Sequence, residues 1–193
     1  MEQKKFYISD LHYGHQNVLS FDGRPFDSLD QMHSELIRRW NETVTNADHV
    51  YVLGDMFWCR NEEAVPVLKK LRGNIHLIQG NHDRVNLKEF KEQFAEITPF
   101  KELKDGDYNV TLCHYPIPFY KRSYDPRQIM LYGHVHATRE HFIMNGLRTM
   151  LADTAAMDQN PGYAKGRFYN VGCMLPYMDY TPRTLEEILA ANQ

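Results

Sequence analysis

Five short β-rich runs in this sequence are each followed by side chains that can bind a metal ion. Their β-branched and aromatic residues predict strands over 5–9, 49–53, 75–79, 108–113 and 129–132. Ligands of open α/β sheets bind beyond the carboxyl ends of the strands, where the loops converge. We therefore expect one site formed by the residues that follow the strands, namely Asp10, His12, Asp55, Asn81, His82, Asp83, His114, His134 and His136.

Helical stretches lie between several of these strands. Apolar residues at helical spacing predict a helix over 28–44, and Ser28 with Gln31 three positions on is typical of a helix N-cap. A sixth strand is predicted over 168–173, and shorter helices over 61–71, 87–94 and 184–191. Strands alternate with helices early and crowd together later, which predicts an α/β fold with a partly parallel, partly antiparallel sheet system.

Length and charge narrow the class of protein. A chain of 193 residues, of which 42% are hydrophobic, fits one globular domain over 1–193 and argues against a disordered or fibrous protein. The formal net charge of −3 gives no broad basic surface, so we do not expect stable binding of duplex DNA. No run approaches the roughly 18 apolar residues that a membrane span needs.

The three cysteines, Cys59, Cys113 and Cys173, form no Cys-x-x-Cys pair. Neither a disulfide framework nor a thiolate zinc site is therefore indicated. A reducing compartment suits such a chain, and the sequence shows no targeting segment. We expect a cytoplasmic protein.

The residues after the strands together suit two transition-metal ions. Four histidines, two aspartates and one asparagine offer nitrogen and oxygen ligands without a thiolate, as hydrolytic Mn, Fe, Co, Ni or Zn sites do. Seven donors exceed the need of one four-coordinate ion, whereas two ions that share a carboxylate use them all. Two ions about 3.5–4 Å apart clamp the attacking and leaving oxygens of an in-line displacement. The set therefore predicts phosphoryl-transfer chemistry, with Mn²⁺ as the favoured ion.

The order of the motifs supports this interpretation more than any single motif does. A lone aspartate after a strand is more often a turn residue, and a lone histidine such as His114 is usually a satisfied polar group. Gly54, Gly80 and Gly133 allow tight turns and close backbone approach where strands give way to loops. His15 lies close to the first motif. The histidines without such a placement are assigned to surface or packing roles: His33, His49, His76 and His141.

In chain order, the motifs are Asp10-x-His12, Gly54-Asp55, Gly80-Asn81-His82-Asp83, His114 and Gly133-His134-x-His136. This set resembles the calcineurin-like metallophosphoesterase superfamily from the first strand past residue 136. The resemblance implies a four-layer α/β/β/α sandwich with two mixed central sheets and a dimetal centre at one edge. For one ion it implies the ligands Asp10, His12, Asp55 and His136. For the other it implies Asp55, Asn81, His114 and His134, so that Asp55 is the bridging carboxylate.

The resemblance also implies roles for the groups that are not ligands. A hydroxide held between the ions would attack phosphorus, since metal coordination lowers the pKa of water. His82 would lie over the phosphate and either stabilise its developing charge or protonate the leaving oxygen. Asp83 would orient the imidazole of His82 and favour its protonated form.

Departures from the family pattern narrow the subfamily. Ser/Thr protein phosphatases continue the second motif as Gly-Asp-x-Val-Asp-Arg-Gly, whereas this chain has Gly54-Asp55-Met56-Phe57-Trp58-Cys59-Arg60. Lipid A pathway pyrophosphatases carry arginine in place of His82, and DNA-repair nucleases of this fold carry extra domains. The chain is similar to small bacterial and phage phosphoesterases, especially over 9–17 and 21–26.

We expect hydrolysis of a small phosphate ester, with a phosphodiester favoured and a nucleotide as one candidate substrate. One catalytic histidine without a second arginine clamp suits a less charged phosphate. The alternatives are a phosphomonoesterase acting on nucleotides and a non-catalytic protein-binding scaffold, as in the retromer subunit of this fold, which lacks the catalytic histidine.

Some residues have roles that the sequence leaves open. The loop 115–127, rich in tyrosine, proline and basic residues, either forms a rim that faces the substrate or packs onto the fold. A second loop is expected over 154–167. Four arginines either contact phosphate or are solvated on the surface: Arg24, Arg60, Arg84 and Arg139.

Overall fold

The computed structural model describes residues 3–157 and 166–192. Its elements are β1 (Lys5–Ile8), α1 (Val18–Phe21), α2 (Leu29–Thr43), β2 (His49–Val52), α3 (Asn61–Leu68), β3 (Asn74–Ile78), α4 (Lys88–Lys91), β4 (Glu96–Thr98), β5 (Phe100–Asp105), β6 (Tyr108–Cys113), β7 (Gln128–Tyr132), α5 (Arg139–Met157), β8 (Phe168–Asn170), β9 (Arg183–Thr184) and α6 (Leu185–Ala191). Each of the five strands that precede candidate ligands lies within one residue of its predicted bounds.

The strands form two mixed sheets. The first has the order β4-β3-β2-β1-β9, in which β1 to β4 are parallel and β9 is antiparallel to β1. The second has the order β5-β6-β7-β8, in which β5 is antiparallel to β6 and the other pairs are parallel. The predicted α/β fold with two mixed sheets is thus confirmed. Within each sheet, the parallel strands present their carboxyl ends at one edge.

The two sheets meet at the carboxyl ends of β1 and β8. Ser9 and Gly172 form a parallel bridge just beyond these strands. At the same edge, the backbone N–H of His12 donates to the carbonyl of Asp55 at 2.9 Å, which ties the loop after β1 to the loop after β2. The loops that carry the candidate ligands are therefore hydrogen-bonded to a common frame.

Buried aromatic and apolar side chains pack against both sheets and hold the strands in place. Tyr7 of β1 stacks on Tyr51 of β2 with ring centroids 5.6 Å apart, and its hydroxyl donates to Asp105 Oδ2 of the second sheet at 2.8 Å. Trp40 of α2 is buried. A separate cluster packs α5 on the second sheet, with a centre of Met130, Tyr132, Met144 and Phe168. Burial of each large apolar side chain contributes roughly 1.5–3 kcal/mol, so these contacts hold the strand ends in place.

The predicted helix caps at Ser28 and Thr184 are present, whereas the bounds of some helices differ from the prediction. Ser28 accepts a hydrogen bond from Gln31 N–H at 3.2 Å, and Thr184 forms a capping box with Glu187. The helix predicted over 61–71 ends at Leu68, and the one over 87–94 is reduced to Lys88–Lys91. The sequence does not predict α1, α5, β4, β5 or β9.

Helix α5 also takes up the start of the predicted loop over 154–167, of which residues 158–165 lie outside the described part of the chain. No helix within the described residues has the length and apolar character that crossing a bilayer requires.

Candidate metal centre

The candidate ligands converge where the carboxyl ends of the strands meet. Asp10 and His12 follow β1, Asp55 follows β2, Asn81 follows β3, His114 follows β6, and His134 and His136 follow β7. Five of these residues are buried, whereas Asn81 and His134 are exposed. The site therefore has a closed floor and one side that opens to solvent.

A first group of ligand atoms joins the loops after β1 and β7. One ligand atom from each of Asp10, His12 and His136 lies within 4.8 Å of the others. His12 Nε2 is 3.1 Å from His136 Nε2, which in turn is 3.8 Å from Asp10 Oδ1. His12 Nε2 is also 3.7 Å from Asp55 Oδ2. The structure thus brings together the four side chains of the first predicted ligand set.

Asp55 also borders a second group. Ligand atoms of Asp10, Asp55 and His114 lie within 4.8 Å of one another, and His114 Nε2 is 3.0 Å from Asn81 Oδ1. The ring centroid of His134 lies 5.1 Å from that of His114, and its backbone N–H donates to both oxygens of Asp10 at 3.1 Å. His134 therefore stands at the edge of this group. Asp10 lies between both groups, which the sequence does not indicate.

Hydrogen bonds to the outer nitrogens of two histidines aim their inner nitrogens into the site. His114 Nδ1 donates to a backbone carbonyl at 2.8 Å, which turns its Nε2 toward Asn81 Oδ1. His136 Nδ1 donates to Asp22 at 2.8 Å, which turns its Nε2 toward His12 Nε2. In the neutral form both histidines present an Nε2 lone pair to the site, and nitrogen and oxygen donors at this spacing suit divalent transition metals. The residues therefore fit the predicted ions.

Burial sets the protonation of the ligands. It lowers the pKa of His12 to about 2, and the charge of His136 acts in the same direction. Partial burial of its ring and the charge of His114 also lower the pKa of His134. Burial raises the pKa of Asp10, an effect that His136 and His114 oppose. Neutral imidazoles are the form that binds metals, and buried carboxylates are costly without a neighbouring cation.

Five candidate ligands have a left-handed backbone conformation. The angle φ is 57° at Asp10, 50° at His12, 51° at Asp55, 70° at His134 and 46° at His136. This conformation costs an L-residue roughly 1–2 kcal/mol. Such strain persists where the surrounding structure imposes it, and it concentrates at functional sites. The sharp turns that aim these side chains at one point therefore reduce the stability of the fold.

We expect His134→Gly to unfold at a higher urea concentration than His134→Ala, by about 1 kcal/mol in the free energy of unfolding. Only glycine adopts a φ near 70° without strain, and His134 is exposed, so neither change leaves a cavity. Unfolding would be followed by circular dichroism with EDTA present, which removes any contribution from bound metal. Equal stability of the two variants would contradict the presence of strain at this ligand.

Two glycines permit the close approach of the loops. Gly54 has a φ of 82°, and a Cβ at this position would collide with His114 Nδ1. A Cβ on Gly133 would lie 2.5 Å from Ser9 Oγ and 2.7 Å from Asp10 Oδ2. Any larger residue would therefore displace a candidate ligand, as the predicted role of these glycines requires.

Asp22, to which the motifs assign no role, holds His136 in place. Its buried carboxylate accepts hydrogen bonds from His136 Nδ1 and from Arg24 Nε, the latter at 3.0 Å. Burial lowers the pKa of His136. The hydrogen bond to Asp22 and the charge of Asp10 outweigh this effect, so the pKa of His136 is raised. A metal-binding histidine commonly donates its second nitrogen to a carboxylate, and this rule is the signal that points to Asp22.

Replacing Asp22 by alanine is expected to weaken metal binding by about 10–100-fold, because His136 loses the acceptor that fixes its tautomer. Asp22→Asn should lose less metal affinity, since the amide oxygen can still accept a hydrogen bond from His136 Nδ1. Competition with a chelator would measure the affinity. Asp27→Asn, an exposed change in the same loop, is the matched control and should bind as the natural chain does. Unchanged affinity in Asp22→Ala would refute this role.

Arg24 is neither a surface residue nor a phosphate contact, in contrast to both expectations. It is 5% exposed, and its Nη1 and Nη2 donate to the backbone carbonyls of Leu11 and Asp10, each at 2.8 Å. The guanidinium therefore supports the loop that carries the first two candidate ligands. The other three candidate arginines are exposed: Arg60, Arg84 and Arg139.

His82 and Asp83 lie side by side in sequence but face different surroundings. The side chain of His82 is 41% exposed, with Nε2 3.9 Å from Asp55 Oδ2. Asp83 is buried, and its carboxylate accepts backbone N–H donors from Asp55, Met56 and Gly80 at 2.8–2.9 Å. Asp83 thus holds the ligand-bearing loops, and no hydrogen bond within the described residues joins it to the imidazole of His82.

The loop 115–127 borders the site at its start and packs onto the fold in its middle. Tyr115 is 46% exposed, and its ring centroid lies 4.7 Å from that of His134, at the open side of the site. Tyr120 is buried, and its hydroxyl donates to the carbonyls of Gln128 and Arg167 at 2.9 and 3.0 Å. The start of the loop therefore borders the site, whereas its middle packs onto the second sheet.

The histidines assigned to packing have hydrogen-bond partners other than the candidate ligands. His49 Nδ1 and His76 Nε2 are 2.8 Å apart, and His33 Nε2 accepts a backbone N–H at 2.9 Å. His141 contacts two asparagine side chains. His15 differs from them, because it stacks on an exposed tryptophan beside the candidate ligands.

The chain is similar to a family model, to a curated relative and to solved structures. Residues 4–179 match the family model of the calcineurin-like phosphoesterase superfamily domain. The uncharacterized protein MJ1445 of Methanocaldococcus jannaschii is 34% identical over 140 residues, which cover 71% of this chain and 72% of that protein. The crystal structure of AQ665 from Aquifex aeolicus, a protein of unknown function, matches with a TM-score of 0.69 and 22% identity over 98% of this chain and 100% of that chain. The phosphoesterase Yfce from E. coli matches with a TM-score of 0.36 and 16% identity over 69% of this chain and 70% of that chain.

The family match extends across all the candidate ligands, from the loop after β1 to the loop after β7. The Aquifex structure shows the same fold along almost the whole chain. The Methanocaldococcus protein is related to this chain in sequence. The chain belongs to the calcineurin-like phosphoesterase superfamily.

Proposed function

We propose that this chain is a binuclear metal-dependent phosphodiesterase that hydrolyses a small phosphate ester, with a nucleotide as candidate substrate. Membership of the superfamily supports a metal-dependent phosphoesterase. The observation that carries the proposal is the surroundings of Asp55. Its Oδ2 lies 3.5–3.9 Å from the Nε2 atoms of His12, His82 and His114. One carboxylate oxygen thus faces a proposed ligand of each ion and the proposed catalytic residue.

The proposed metal ligands are the side chains of the two groups around Asp55. Asp10, His12 and His136 would hold one ion, and Asn81, His114 and His134 the other. When bound, two divalent ions polarise phosphoryl oxygens and lower the pKa of coordinated water. The chain keeps His12 neutral by burial and aims His136 and His114 by hydrogen bonds to their outer nitrogens. We favour Mn²⁺, with Fe, Co, Ni or Zn as alternatives, because the donors are nitrogen and oxygen without a thiolate.

His82 is the proposed donor to the leaving oxygen. Its backbone N–H donates to Asp55 Oδ1 at 2.9 Å, which places its imidazole at the open side of the Asp55 carboxylate. A positioned imidazole can supply a proton near neutral pH. As the bond between phosphorus and the leaving oxygen breaks, that oxygen takes the proton from His82 and departs as an alcohol.

The arginines near the opening favour a diester, with one negative charge, over a dianionic monoester. Arg24 is committed to backbone carbonyls, and Arg60 pairs with Glu63 at 3.2 Å. Arg84 is the candidate arginine that lines a cleft beside His82. A single guanidinium in this cleft fits a less charged phosphate better than the multiple contacts that a dianion demands.

Hydrolysis of bis(p-nitrophenyl) phosphate tests this function directly. We expect turnover with Mn²⁺, its loss in EDTA, and a higher kcat/KM than with p-nitrophenyl phosphate. Ni²⁺, Co²⁺, Zn²⁺ and Fe²⁺ would be compared in parallel. A higher kcat/KM for the monoester would overturn the diester preference. Absence of turnover with every ion, in protein shown to be folded, would instead support the protein-binding scaffold.

A further inference from the structure

A row of aromatic rings borders one side of the proposed metal ligands. We call Phe21, His15, Trp58 and His82 the aromatic row. Its successive ring centroids are 5.6, 4.0 and 4.4 Å apart. Phe21 and Trp58 are 56% and 43% exposed. Large aromatic side chains are mostly buried in folded proteins, so an open row beside a catalytic centre indicates a surface for a flat ligand.

His15 fixes the plane of Trp58. The two rings are almost parallel, with an interplanar angle of 11°. The Nδ1 atom of His15 is buried and has no hydrogen-bond partner among the residues that the structure describes. Stacking on the indole of Trp58 is therefore the contact that orients this ring. An indole that is braced on one side loses little conformational freedom when a ligand binds. Trp58 is therefore suited to anchor a planar group.

A cleft of about 170 Å³ opens beside the row and is lined by Phe57, Trp58, Cys59, Asn81, His82 and Arg84. Pockets that enclose a whole small ligand measure roughly 300–1,000 Å³, so this cleft takes only part of one. It shares Asn81 with the proposed metal ligands and His82 with the proposed leaving-group position. A group attached to the leaving oxygen would therefore face this cleft.

Arg84 supplies positive charge to the cleft. Its neighbour on the same surface, Arg60, is paired with Glu63 at 3.2 Å, whereas no ion pair in the described part of the chain involves Arg84. A guanidinium that is free of carboxylates can bind a phosphate through two parallel hydrogen bonds. The cleft thus presents an aromatic face and a cation at the position of the leaving group.

We propose that Trp58 and Arg84 form a subsite for the leaving nucleoside of a dinucleotide-type phosphodiester. The base stacks against Trp58, and a second phosphate on the same nucleoside binds Arg84. This inference rests on the proposed function and names its substrate class. Because every base offers a flat face for stacking, the subsite selects the additional phosphate and not a particular base.

Binding is tested first with the two leaving products of such a cleavage, thymidine 5′-monophosphate from pTpT and thymidine 3′-monophosphate from TpTp, and with thymidine as the probe without phosphate. Calorimetry on the metal-loaded protein should show a Kd for one of the monophosphates roughly 10–100-fold lower than for thymidine. That preference should disappear in Arg84→Ala and persist in Arg60→Ala, the matched surface control. If Arg84→Ala keeps the preference, the phosphate binds elsewhere and the assignment of Arg84 is overturned.

Stacking is tested through tryptophan fluorescence, since the chain has two tryptophans and Trp40 is buried. Thymidine 5′-monophosphate should quench the emission of Trp58. Trp58→Leu should abolish the quenching and raise the Kd roughly 10–100-fold, whereas Trp58→Phe should abolish the quenching and keep most of the affinity. Equal affinity in Trp58→Leu would overturn the stacking role.

Cleavage is then compared for TpT, pTpT and TpTp. The dinucleotide that bears the extra phosphate on its leaving nucleoside should have a kcat/KM roughly 10–100-fold above that of TpT, and Arg84→Ala should remove this advantage. Equal rates on all three would overturn the subsite while the phosphodiesterase stands. Conversely, intact nucleotide binding without turnover of any ester would refute the proposed function and leave the nucleotide subsite in place.

Discussion

Asp55→Asn is expected to lose both metal ions and all measurable phosphodiesterase activity while it keeps its fold. The Oδ2 atom of Asp55 lies 3.7 Å from His12 Nε2 and 3.5 Å from His114 Nε2, so it faces both ligand groups. An amide preserves the shape and still accepts the backbone N–H of His82 through Oδ1, but it removes the negative charge of one of the two candidate carboxylate ligands. Loss of an outer hydrogen-bonding partner already weakens metal sites about 10–100-fold, and a shared ligand should cost more.

Metal content after dialysis, measured by mass spectrometry, checks this expectation. Asp48→Asn is a matched control, because Asp48 is also buried and its carboxylate accepts the backbone N–H groups of Lys4 and Thr45. It lies at the opposite end of β2, so it should retain both ions. In EDTA, Asp55→Asn should be at least as stable as the natural chain, since the Asp55 charge disfavours ionisation of Asp10. Two fully occupied sites in Asp55→Asn would rule out a bridging carboxylate.

The core of this site can be predicted from sequence because it follows from topology. Parallel strands must place their carboxyl ends at one edge, and each of β1, β2, β3, β6 and β7 carries a strong β-rich pattern. Within each sheet, the side chains that follow these strands then lie at the same edge. The strand pattern and the short spacing of each motif therefore predict one site, whereas the shared position of Asp55 is implied only by the resemblance to the superfamily.

The partners that hold the ligands could not be predicted in the same way. Asp22 contacts His136, which lies 114 positions further along the chain, through a loop with no periodic pattern. Arg24 was expected either at the surface or on the phosphate, yet it is buried against the carbonyls of Leu11 and Asp10. Such contacts depend on how irregular loops cross, and sequence spacing carries no information on that.

Two of the missed elements lack the patterns on which prediction depends. Helix α5 exposes apolar side chains, with Phe142 69% and Ile143 57% exposed, so its sequence has no clear polar face. Strand β5 is an edge strand that carries Lys101, Glu102 and Lys104, residue types that are depleted in strands but common at sheet edges. In both cases the surrounding structure, and not the local pattern, decides the conformation.

His82→Ala is expected to keep both metal ions and to lose turnover about 10²–10⁴-fold on substrates with a poor leaving group. Its side chain is 41% exposed and 3.9 Å from Asp55 Oδ2, so its removal leaves the buried ligands in place. If His82 protonates the leaving oxygen, the loss must depend on that oxygen. A nucleoside diester needs the proton, whereas p-nitrophenolate departs readily without one. The defect should therefore be large for dinucleotides and small for bis(p-nitrophenyl) phosphate.

The comparison with His82→Gln separates the two roles that remain open for this residue. Glutamine can donate a hydrogen bond to a developing charge but cannot transfer a proton, so it should rescue activity only if His82 acts by charge stabilisation. An equal loss on both substrate classes, with rescue by glutamine, would replace the proton-donor role with charge stabilisation. A fall in metal content in His82→Ala would show instead that His82 is a ligand. Removal of a residue that only faces the leaving oxygen leaves metal binding unchanged.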